Sequence, residues 1–531
     1  MIGWMRSRAF VIGLAVALLA GLALRLAVIA SPLGELDGDE AVVGLMARHI
    51  AFLGDRPVFY YGQPYLGSLE AFSAAPLFRL LGSSTVLLKL VPTAYSLGFL
   101  ALSAVLARRL FDTGAALATA AYLAVPPSMW AVWSTKARGG YAELLFLGQA
   151  LLLVTLALAH SPSRRLAFLW GILAGLAFWT HLLAVVYLLS AAIFLSLGRR
   201  ARWSASELGL AVTGAVLGMA PLIFDNFAHG FLTLAALLQP ADLPLDQWAQ
   251  SLRFFRVGVP VLLGLGQPTT SETMFDQDWL QRPAGHLWVV LLALLVLGAA
   301  LAVHAPSLRR LVRCGASHLS EPALLLVVAL AVPPVVALTR FGFFVSEPRY
   351  ALPLYGAVPL LAGALWRIRV PWPGPTRGSV VAAVLTLNLW SLLSTDVRLW
   401  RAQDTPNSTV ATRAELVQYL VAGDRHQMYT DYWIGYPIMF ETRETVLAYV
   451  ISGGFNRYVP PADNVQRTPN PAWVFSAGTL PEQIFLNDLA RLGGRAQVAD
   501  VSVYHVYTDV QPLEAIRPAG LISTAPPGTP P

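Results

Sequence analysis

Eleven apolar stretches divide this chain, and they constrain its fold more than any other feature of the sequence. They are residues 10–30, 86–107, 113–127, 140–159, 166–180, 182–198, 207–228, 286–304, 322–340, 350–366 and 379–395. A helix needs roughly 20 apolar residues to cross about 30 Å of hydrocarbon. The chain is 13% charged, whereas soluble domains carry about 25% charged residues. We therefore predict an α-helical polytopic membrane protein with about eleven transmembrane helices.

Arginine clusters between these stretches predict how the chain is oriented. They precede the first stretch and fill every second loop after it: Arg6 and Arg8; Arg108 and Arg109; Arg164 and Arg165; Arg199, Arg200 and Arg202; Arg309, Arg310 and Arg313; and Arg367, Arg369 and Arg377. Cytoplasmic loops carry such an excess of positive charge, so the net charge of +7 indicates topology rather than a nucleic-acid surface. We predict an integral protein of the cytoplasmic (plasma) membrane, with its N-terminus inside and its C-terminus outside. The first apolar run is longer than that of a signal peptide, which favours a retained anchor.

The first outer loop, residues 31–85, carries four carboxylates within six residues: Glu35, Asp37, Asp39 and Glu40. Apolar residues at helical spacing after Asp37-Gly38 predict an amphipathic helix over 39–53, lying on the outer interface. A second helix is predicted over 65–80. Asp39 is open to two interpretations. It can be the N-cap of this helix, which contributes about 1 kcal/mol, or it can be a carboxylate that accepts a proton at the mouth of the helix bundle.

Residues 396–531 differ in character from the rest of the chain, because strand-like and helix-like segments alternate there. Strands are predicted over 427–430, 446–450, 472–475 and 501–507, and helices over 432–440 and near 481–492. This alternation predicts a small C-terminal α/β domain, which the topology puts on the extracytoplasmic side. The proline-rich end, 524–531, is typical of a disordered tail.

Four segments of the predicted outer loops are informative through their residues and their order along the chain. They are Asp39–Ala41 just after the first span, Gln63–Gly67, Lys136–Glu143 and Ser346–Tyr350. Together they resemble the GT-C superfamily of membrane glycosyltransferases, and in particular the protein O-mannosyltransferases and the lipid A aminoarabinose transferases. The resemblance covers about residues 1–395, which it identifies as a GT-C-like transmembrane glycosyltransferase domain.

The resemblance implies an enzyme that passes a sugar, with inversion, from a polyprenyl-phosphate donor to an acceptor outside the cytoplasmic membrane. Asp39 matches the acid that is regarded as the general base in this superfamily, and Glu40 matches its neighbour. One departure concerns the loop before Pro64. Close relatives carry an acidic residue and a lysine there, where this chain has Gly62-Gln63. Glu70 is a candidate to replace the missing acid.

The chemistry of such a transfer selects the candidate site. A carboxylate that takes the acceptor's proton accelerates attack by roughly 10²–10⁴-fold, and a departing phosphate needs fixed cations. We expect Asp39 and Glu40 to be catalytic. The expected substrate-binding residues are Asp37, Gln63, Tyr65, Glu70, Lys136, Arg138, Arg349 and Tyr350. The alternatives are ordinary lipid-headgroup contact for the cations and an interfacial belt for the tyrosines.

The sequence also bounds cofactors and partners. It contains neither a Cys/His metal signature nor a glycine-rich nucleotide motif, so we expect no required cofactor, although neighbouring carboxylates can bind a divalent cation. The expected partners are a polyprenyl-phosphate sugar donor, a lipid, glycan or protein acceptor, and the lipid bilayer, without nucleic acid. The alternative function is a transporter or flippase of lipid-linked substrates. Transporters carry charges near the bilayer middle, whereas here the acids cluster in an outer loop.

Overall fold

A computed structural model describes residues 8–197, 203–238, 254–255, 258–266, 291–298, 300–301, 304–306, 309, 320–337, 348–368, 378–395, 397 and 408–516. Its helices are α1 (Arg8–Ala30), α2 (Gly38–Arg48), α3 (Leu69–Leu81), α4 (Thr85–Leu110), α5 (Thr113–Ala124), α6 (Ser128–Trp133), α7 (Tyr141–His160), α8 (Arg164–Thr180), α9 (Val185–Leu197), α10 (Ala205–Gly218), α11 (Ala220–Ala228), α12 (Leu232–Leu238), α13 (Ala323–Ala337), α14 (Val358–Gly363), α15 (Ser379–Leu393), α16 (Val410–Ala422), α17 (Tyr432–Glu441), α18 (Val459–Arg467), α19 (Leu480–Arg491) and α20 (Leu513–Ile516). Its strands are β1 (Gln427–Asp431), β2 (Leu447–Ser452), β3 (Ala472–Ser476), β4 (Arg495–Val501) and β5 (Tyr504–Gln511). A helical part is thus followed by a sheet module, residues 408–516.

Membrane-length helices are found in the helical part. Within the described ranges, α1, α4 and α7 are long and apolar enough to cross a membrane, and α10 with α11, bent by 63°, would add a fourth if the pair is one span. Parts of the predicted spans 286–304 and 322–340, and the tail 524–531, lie outside the described residues. The count of about eleven spans therefore stays a prediction.

The predicted span 350–366 is not a continuous α-helix. It consists of 3₁₀ turns at Pro348–Gly356 and Ala364–Arg367 on either side of α14. Pro353 and Pro359 explain the break, because proline lacks the N–H that an interior helical position donates. The broken backbone brings Arg349 and Tyr350 into a turn rather than onto a helix face.

At the start of α2, the N-cap residue is Asp37 and not Asp39. The Glu40 N–H donates to Asp37 Oδ1 at 3.0 Å, and the Asp37 N–H donates to Glu40 Oε2 at 3.4 Å. This reciprocal pair is a capping box with Asp37 as the N-cap. The interpretation of Asp39 as the N-cap is therefore wrong. Capping does not use the Asp39 carboxylate, which leaves it available for other contacts.

The sheet module has five strands in the order β2-β1-β3-β5-β4. β1 pairs in parallel with β2 and β3, whereas β5 pairs antiparallel with β3 and β4. The elements expected between residues 427 and 492 occur within two residues of their predicted ends. The strand predicted over 501–507 corresponds to β5, which begins only at Tyr504, because Ser502, at φ +57°, turns the chain between β4 and β5.

The first outer loop and the sheet module share one hydrophobic core, which includes Val42, Met46, Ile438 and Val474. Helices α2 and α17 approach closely. A Cβ at Gly44 would lie 2.6 Å from the Phe440 ring, closer than real Cβ contacts allow. This packing holds the N-terminus of α2 beside Tyr432, at the carboxyl end of β1.

Candidate active site

A cavity of about 130 Å³ lies where the first outer loop meets the sheet module. It is lined by Asp39, Tyr60, Gln63, Tyr65, Leu66, Arg138, Gly139, Tyr141, His181, Leu182, Arg349, Tyr350 and Arg457. Six of the residues expected from the sequence are among them: Asp39, Gln63, Tyr65, Arg138, Arg349 and Tyr350. Ser346 and Glu347, from the segment preceding Arg349, lie outside the described residues. Segments distant in sequence converge on this cavity, which makes it the candidate active site.

Asp39 has charged or hydroxyl partners on both carboxylate oxygens. Arg138 Nε lies 2.8 Å from Asp39 Oδ2. The Tyr432 hydroxyl donates to Oδ1 at 2.7 Å, and Arg457 Nη2 lies 3.5 Å from the same oxygen. The Tyr60 hydroxyl donates to the backbone carbonyl of Asp39 at 3.1 Å. These contacts fix the direction of the carboxylate at the cavity wall.

The same neighbours set the protonation of the site. Burial alone would raise the pKa of Asp39, but the charges of Arg138 and Arg457 outweigh it and lower the pKa to about 2. Burial, reinforced by the Asp39 charge, raises the pKa of Tyr432 well above its ordinary value. At neutral pH the site therefore holds an aspartate anion beside a phenol that keeps its proton.

Two of the cavity's arginines stand over one aromatic ring. The guanidinium carbon of Arg138 lies 5.5 Å from the centre of a Trp133 ring, and that of Arg349 lies 5.4 Å from it. Arg138 also stands 5.6 Å from the Trp433 ring centre. Cation–π contacts of this kind restrain a guanidinium without consuming its N–H donors. These contacts restrain the guanidinium groups of Arg138 and Arg349 at the cavity wall.

Glu40, Asp37 and Lys136 do not line the cavity, contrary to expectation. Glu40 is fully buried, contacts Lys89 Nζ, and accepts the Ala137 N–H at 3.0 Å. Lys136 Nζ lies 2.8 Å from Asp37 Oδ2 and 3.4 Å from Glu40 Oε2. Glu40, Asp37 and Lys136 thus pair with one another beside the cavity, and their expected roles at the substrate stay predictions. These buried pairs join the start of α2 to the segment that carries Arg138.

Glu70 also lies away from the cavity wall. It is 2% exposed, and its Oε2 accepts the N–H groups of Gly139 and Gly140 at 3.0 and 3.2 Å. The expectation that Glu70 contacts the substrate in place of the missing acid is therefore not supported by its position. It lies behind the turn that carries Arg138.

The sheet module supplies two residues that sequence reasoning missed, Tyr432 and Arg457. Tyr432 directly follows β1, and Arg457 follows β2 after a short loop. The loop is pinned because the Asn456 side chain exchanges two hydrogen bonds with Val450, at 2.8 and 3.2 Å. Ligands of open α/β sheets bind beyond the carboxyl ends of parallel strands. That rule was the one available signal for these residues.

His181, in the turn between α8 and α9, closes another wall of the cavity. Burial, with a smaller contribution from Arg349, lowers its pKa to about 3, so the ring is neutral at physiological pH. Nδ1 accepts the Leu183 N–H at 3.1 Å, which leaves the ring proton on Nε2. His181 is therefore a hydrogen-bond donor rather than a cation. In the described part of the chain, no three His, Cys, Asp or Glu side chains are grouped so that they could hold a metal ion.

Neither a protein-family model nor a curated protein matches this sequence. Solved structures match its fold. ArnT from Cupriavidus metallidurans, a lipid A aminoarabinose transferase, aligns in its apo state over 94% of this chain and 97% of its own, with a TM-score of 0.61 and 14% identity. ArnT bound to undecaprenyl phosphate aligns over 94% and 98%, with a TM-score of 0.60 and 14% identity.

A second enzyme also matches the fold. The archaeal oligosaccharyltransferase AglB from Archaeoglobus fulgidus, in complex with an inhibitory peptide and a dolichol-phosphate, aligns over 96% of this chain and 75% of its own. Its TM-score is 0.50 and its identity 12%. ArnT and AglB are both GT-C members. The chain therefore has the GT-C fold, and the fold expected from the sequence resemblance is confirmed.

Proposed function

We propose that this chain is a membrane glycosyltransferase that moves a sugar from a polyprenyl-phosphate donor to an acceptor on the extracytoplasmic side, with inversion. The observation that carries the proposal is the convergence of Asp39 with Arg138, Arg349 and Arg457 on one cavity. Transfer from a phosphate leaving group needs a proton acceptor and fixed cations, and this cavity places both within one small volume.

The charge of the cavity favours an anionic substrate. Among the described residues that line it, three are arginines and one is an acid, Asp39, while His181 is neutral. A surplus of guanidinium groups suits a phosphate, which arginine can bind through two parallel N–H bonds. A neutral glycan alone would not use the net positive charge of the residues that line this cavity.

In the proposed step, the acceptor's oxygen attacks C1 of the sugar as the bond from C1 to the phosphate oxygen breaks. The acceptor's proton passes to Asp39. The bonding electrons leave with the phosphate oxygen, and the arginines stabilise the charge that develops there. A single displacement of this kind inverts the configuration at C1.

The low pKa of Asp39 makes it a weak base, and we propose that donor binding raises this pKa. With a pKa of about 2, the carboxylate is a poor proton acceptor while Arg138 and Arg457 contact it. A donor phosphate would draw these guanidinium groups toward itself. The pKa of Asp39 then rises and one of its oxygens becomes available to the acceptor. Donor binding thereby activates the base only when a leaving group is present.

The solved neighbours support a lipid-linked donor in general terms. ArnT is known bound to undecaprenyl phosphate, and AglB in complex with a dolichol-phosphate. For this chain we propose a polyprenyl phosphate carrying a hexose or pentose, and a lipid, glycan or protein acceptor of the cell envelope. With the N-terminus inside, the cavity and the sheet module face outward. The proposed domain boundary follows residue 395.

The experiment is donor consumption by membranes that contain the protein. Membranes with the wild-type chain or with Asp39→Asn are incubated with a panel of radiolabelled polyprenyl-phosphate sugars, and the released polyprenyl phosphate is measured. We expect the wild-type membranes to consume one donor and the variant membranes to consume it at no more than about a hundredth of that rate.

A transporter would give a different pattern. Sealed proteoliposomes carrying the wild-type chain would then move a fluorescent lipid-linked sugar between leaflets without breaking its C1–phosphate bond. Leaflet movement that is equal in the wild-type and Asp39→Asn proteins, with no donor consumed by either, would overturn the proposal.

A further inference from the structure

One buried carboxylate, Glu70 of α3, lies against the segment that carries Arg138. Glu70 Oε2 accepts two consecutive backbone N–H groups, from Gly139 at 3.0 Å and from Gly140 at 3.2 Å. Both glycines have positive φ, +84° and +78°. Two successive backbone N–H groups that point at one acceptor form a small anion site of the kind called a nest. Here the anion site is filled by a side chain of the same protein.

The turn held by Glu70 joins the cavity to a membrane helix. On one side it carries Arg138, which contacts Asp39 Oδ2 and stands over Trp133. On the other it leads into α7, where Gly140 is the N-cap and offers no side chain of its own for capping. Glu70 accepts the N–H of this N-cap residue and of Gly139 before it, and so ties α3 to the start of α7.

Side chains cannot replace the glycines of this turn without strain. A Cβ at Gly139 would lie 2.8 Å from Leu66 Cδ2, and a Cβ at Gly140 would lie 3.0 Å from Thr180 Cγ2. Positive φ adds a further cost for any other residue. The two hydrogen bonds to Glu70 stabilise the observed conformation of this turn.

The surroundings of Glu70 favour a proton on its second oxygen. Glu70 Oε1 and both carboxylate oxygens of Glu143 are buried without a hydrogen-bond partner among the described residues. Two buried carboxylates that influence each other do not both stay ionised. Burial, with the nearby Glu143, raises the pKa of Glu70 well above its ordinary value. A glutamine would match this state, with one oxygen to accept the two N–H groups and an amide to replace the protonated oxygen.

We propose that Glu70 is a positioning residue that fixes Arg138 toward Asp39 and the donor phosphate by filling the backbone nest of Gly139 and Gly140. The proposal rests on the proposed function for its effect on turnover, but not for its effect on the turn. Glu70 touches neither the substrate nor the reacting atoms. Glu70 binds the backbone N–H groups of Gly139 and Gly140, and this backbone in turn positions the guanidinium group of Arg138.

The first test follows the turn itself and needs no activity. Hydrogen–deuterium exchange of the peptide that covers residues 134–141 is measured on purified full-length protein in detergent. The variants are Glu70→Gln, Glu70→Asp and Glu70→Ala, with Glu143→Gln as the matched control that changes the neighbouring carboxylate. We expect Glu70→Gln and Glu143→Gln to keep the wild-type protection, and Glu70→Asp and Glu70→Ala to lose at least about tenfold in protection.

The outcomes separate this proposal from the proposed function. Wild-type protection in Glu70→Asp and Glu70→Ala, or a loss in Glu70→Gln equal to that in Glu70→Ala, would overturn the positioning role. If Glu70→Ala does not fold, the comparison of Glu70→Gln with Glu70→Asp gives the same decision, because aspartate is shorter by one methylene. These outcomes do not depend on whether the protein transfers sugar.

The second test measures the link to Arg138 by a double-mutant cycle. Glu70→Asp is expected to raise the donor KM by at least about tenfold while changing kcat less. In an Arg138→Ala background, the same substitution should change the donor KM by less than about twofold. Equal effects in both backgrounds would show that Glu70 does not act through Arg138.

Discussion

The hydroxyl of Tyr432 donates a 2.7 Å hydrogen bond to Asp39 Oδ1, although 393 residues separate the two in sequence. Arg457 Nε donates to the same hydroxyl oxygen at 2.7 Å. A phenol has one proton, so accepting from Arg457 directs that proton toward Asp39. The sheet module thus sets the hydrogen bonding of the proposed base, and the docking of this module onto α2 becomes part of the site's construction.

Replacing Asp39 with asparagine is expected to abolish most transfer without unfolding the protein. Asparagine is nearly the same size but cannot take a proton, so the rate should fall roughly 10²–10⁴-fold. The helix keeps its cap, because Asp37 and not Asp39 is the N-cap. The measurement is donor consumption together with thermal unfolding in detergent. Asp488→Asn, at a half-exposed position of α19, is the control, and near-normal turnover in Asp39→Asn would remove Asp39 from the mechanism.

Glu40→Ala is expected to act on stability far more than on the chemistry. The substitution leaves Lys89 buried and without its partner, and breaking a buried ion pair costs about 3–5 kcal/mol. Thermal unfolding and the yield of folded protein should fall, while turnover per folded molecule falls less than about tenfold. Normal stability combined with a loss of turnover like that of Asp39→Asn would restore Glu40 as a catalytic residue.

The sheet module contributes Arg457 and Tyr432 to the site, and substitutions of these two residues should change different kinetic constants. Arg457→Ala removes a cation from the cavity wall and is expected to raise the donor KM about tenfold or more. Tyr432→Phe removes the hydrogen bond to Asp39 and should lower kcat by about 10-fold with little change in KM. Steady-state kinetics with the donor that the consumption assay selects measure both effects.

The control for Arg457 is Arg467→Ala, which removes an exposed arginine at the end of α18. It should leave both constants within about twofold of wild type. A donor KM that Arg457→Ala does not change would mean that the sheet module takes no part in phosphate binding.

The sequence could predict those parts of the site that leave local signals. Asp39 is marked by a cluster of acids after an apolar span, and Arg138 and Arg349 lie in outer loops beside span ends. Tyr432 and Arg457 carry no such mark, because they reach the cavity only when α17 packs on α2. That packing depends on Gly44 and on a core assembled from distant segments.

Sequence reasoning also expects Glu40 and Glu70 to contact the substrate, whereas neither residue lines the cavity. Composition identifies a carboxylate but not the side of a loop on which it lies. Both acids accept backbone N–H groups from residues 137–140, and such contacts between distant residues leave no periodic pattern. Both acids are buried, and a single sequence does not reveal burial for a polar residue in an outer loop.

Glu70→Gln is expected to change how stability depends on pH. Burial, then the nearby Glu143 carboxylate, raises the pKa of Glu70 well above the ordinary value of 4.5, while Glu40 adds a smaller effect in the same direction. The unfolded chain therefore ionises this group before the folded chain does. The contribution of Glu70 to stability is fully present below pH 4.5 and is lost as the pH rises toward the folded-state pKa of this group. Glutamine does not ionise, so the unfolding temperature of Glu70→Gln should exceed that of wild type by a margin that widens as the pH rises above 4.5. Glu143→Gln removes the neighbouring charge and should reduce the wild-type slope, whereas a margin that stays constant or narrows with rising pH would contradict the raised pKa.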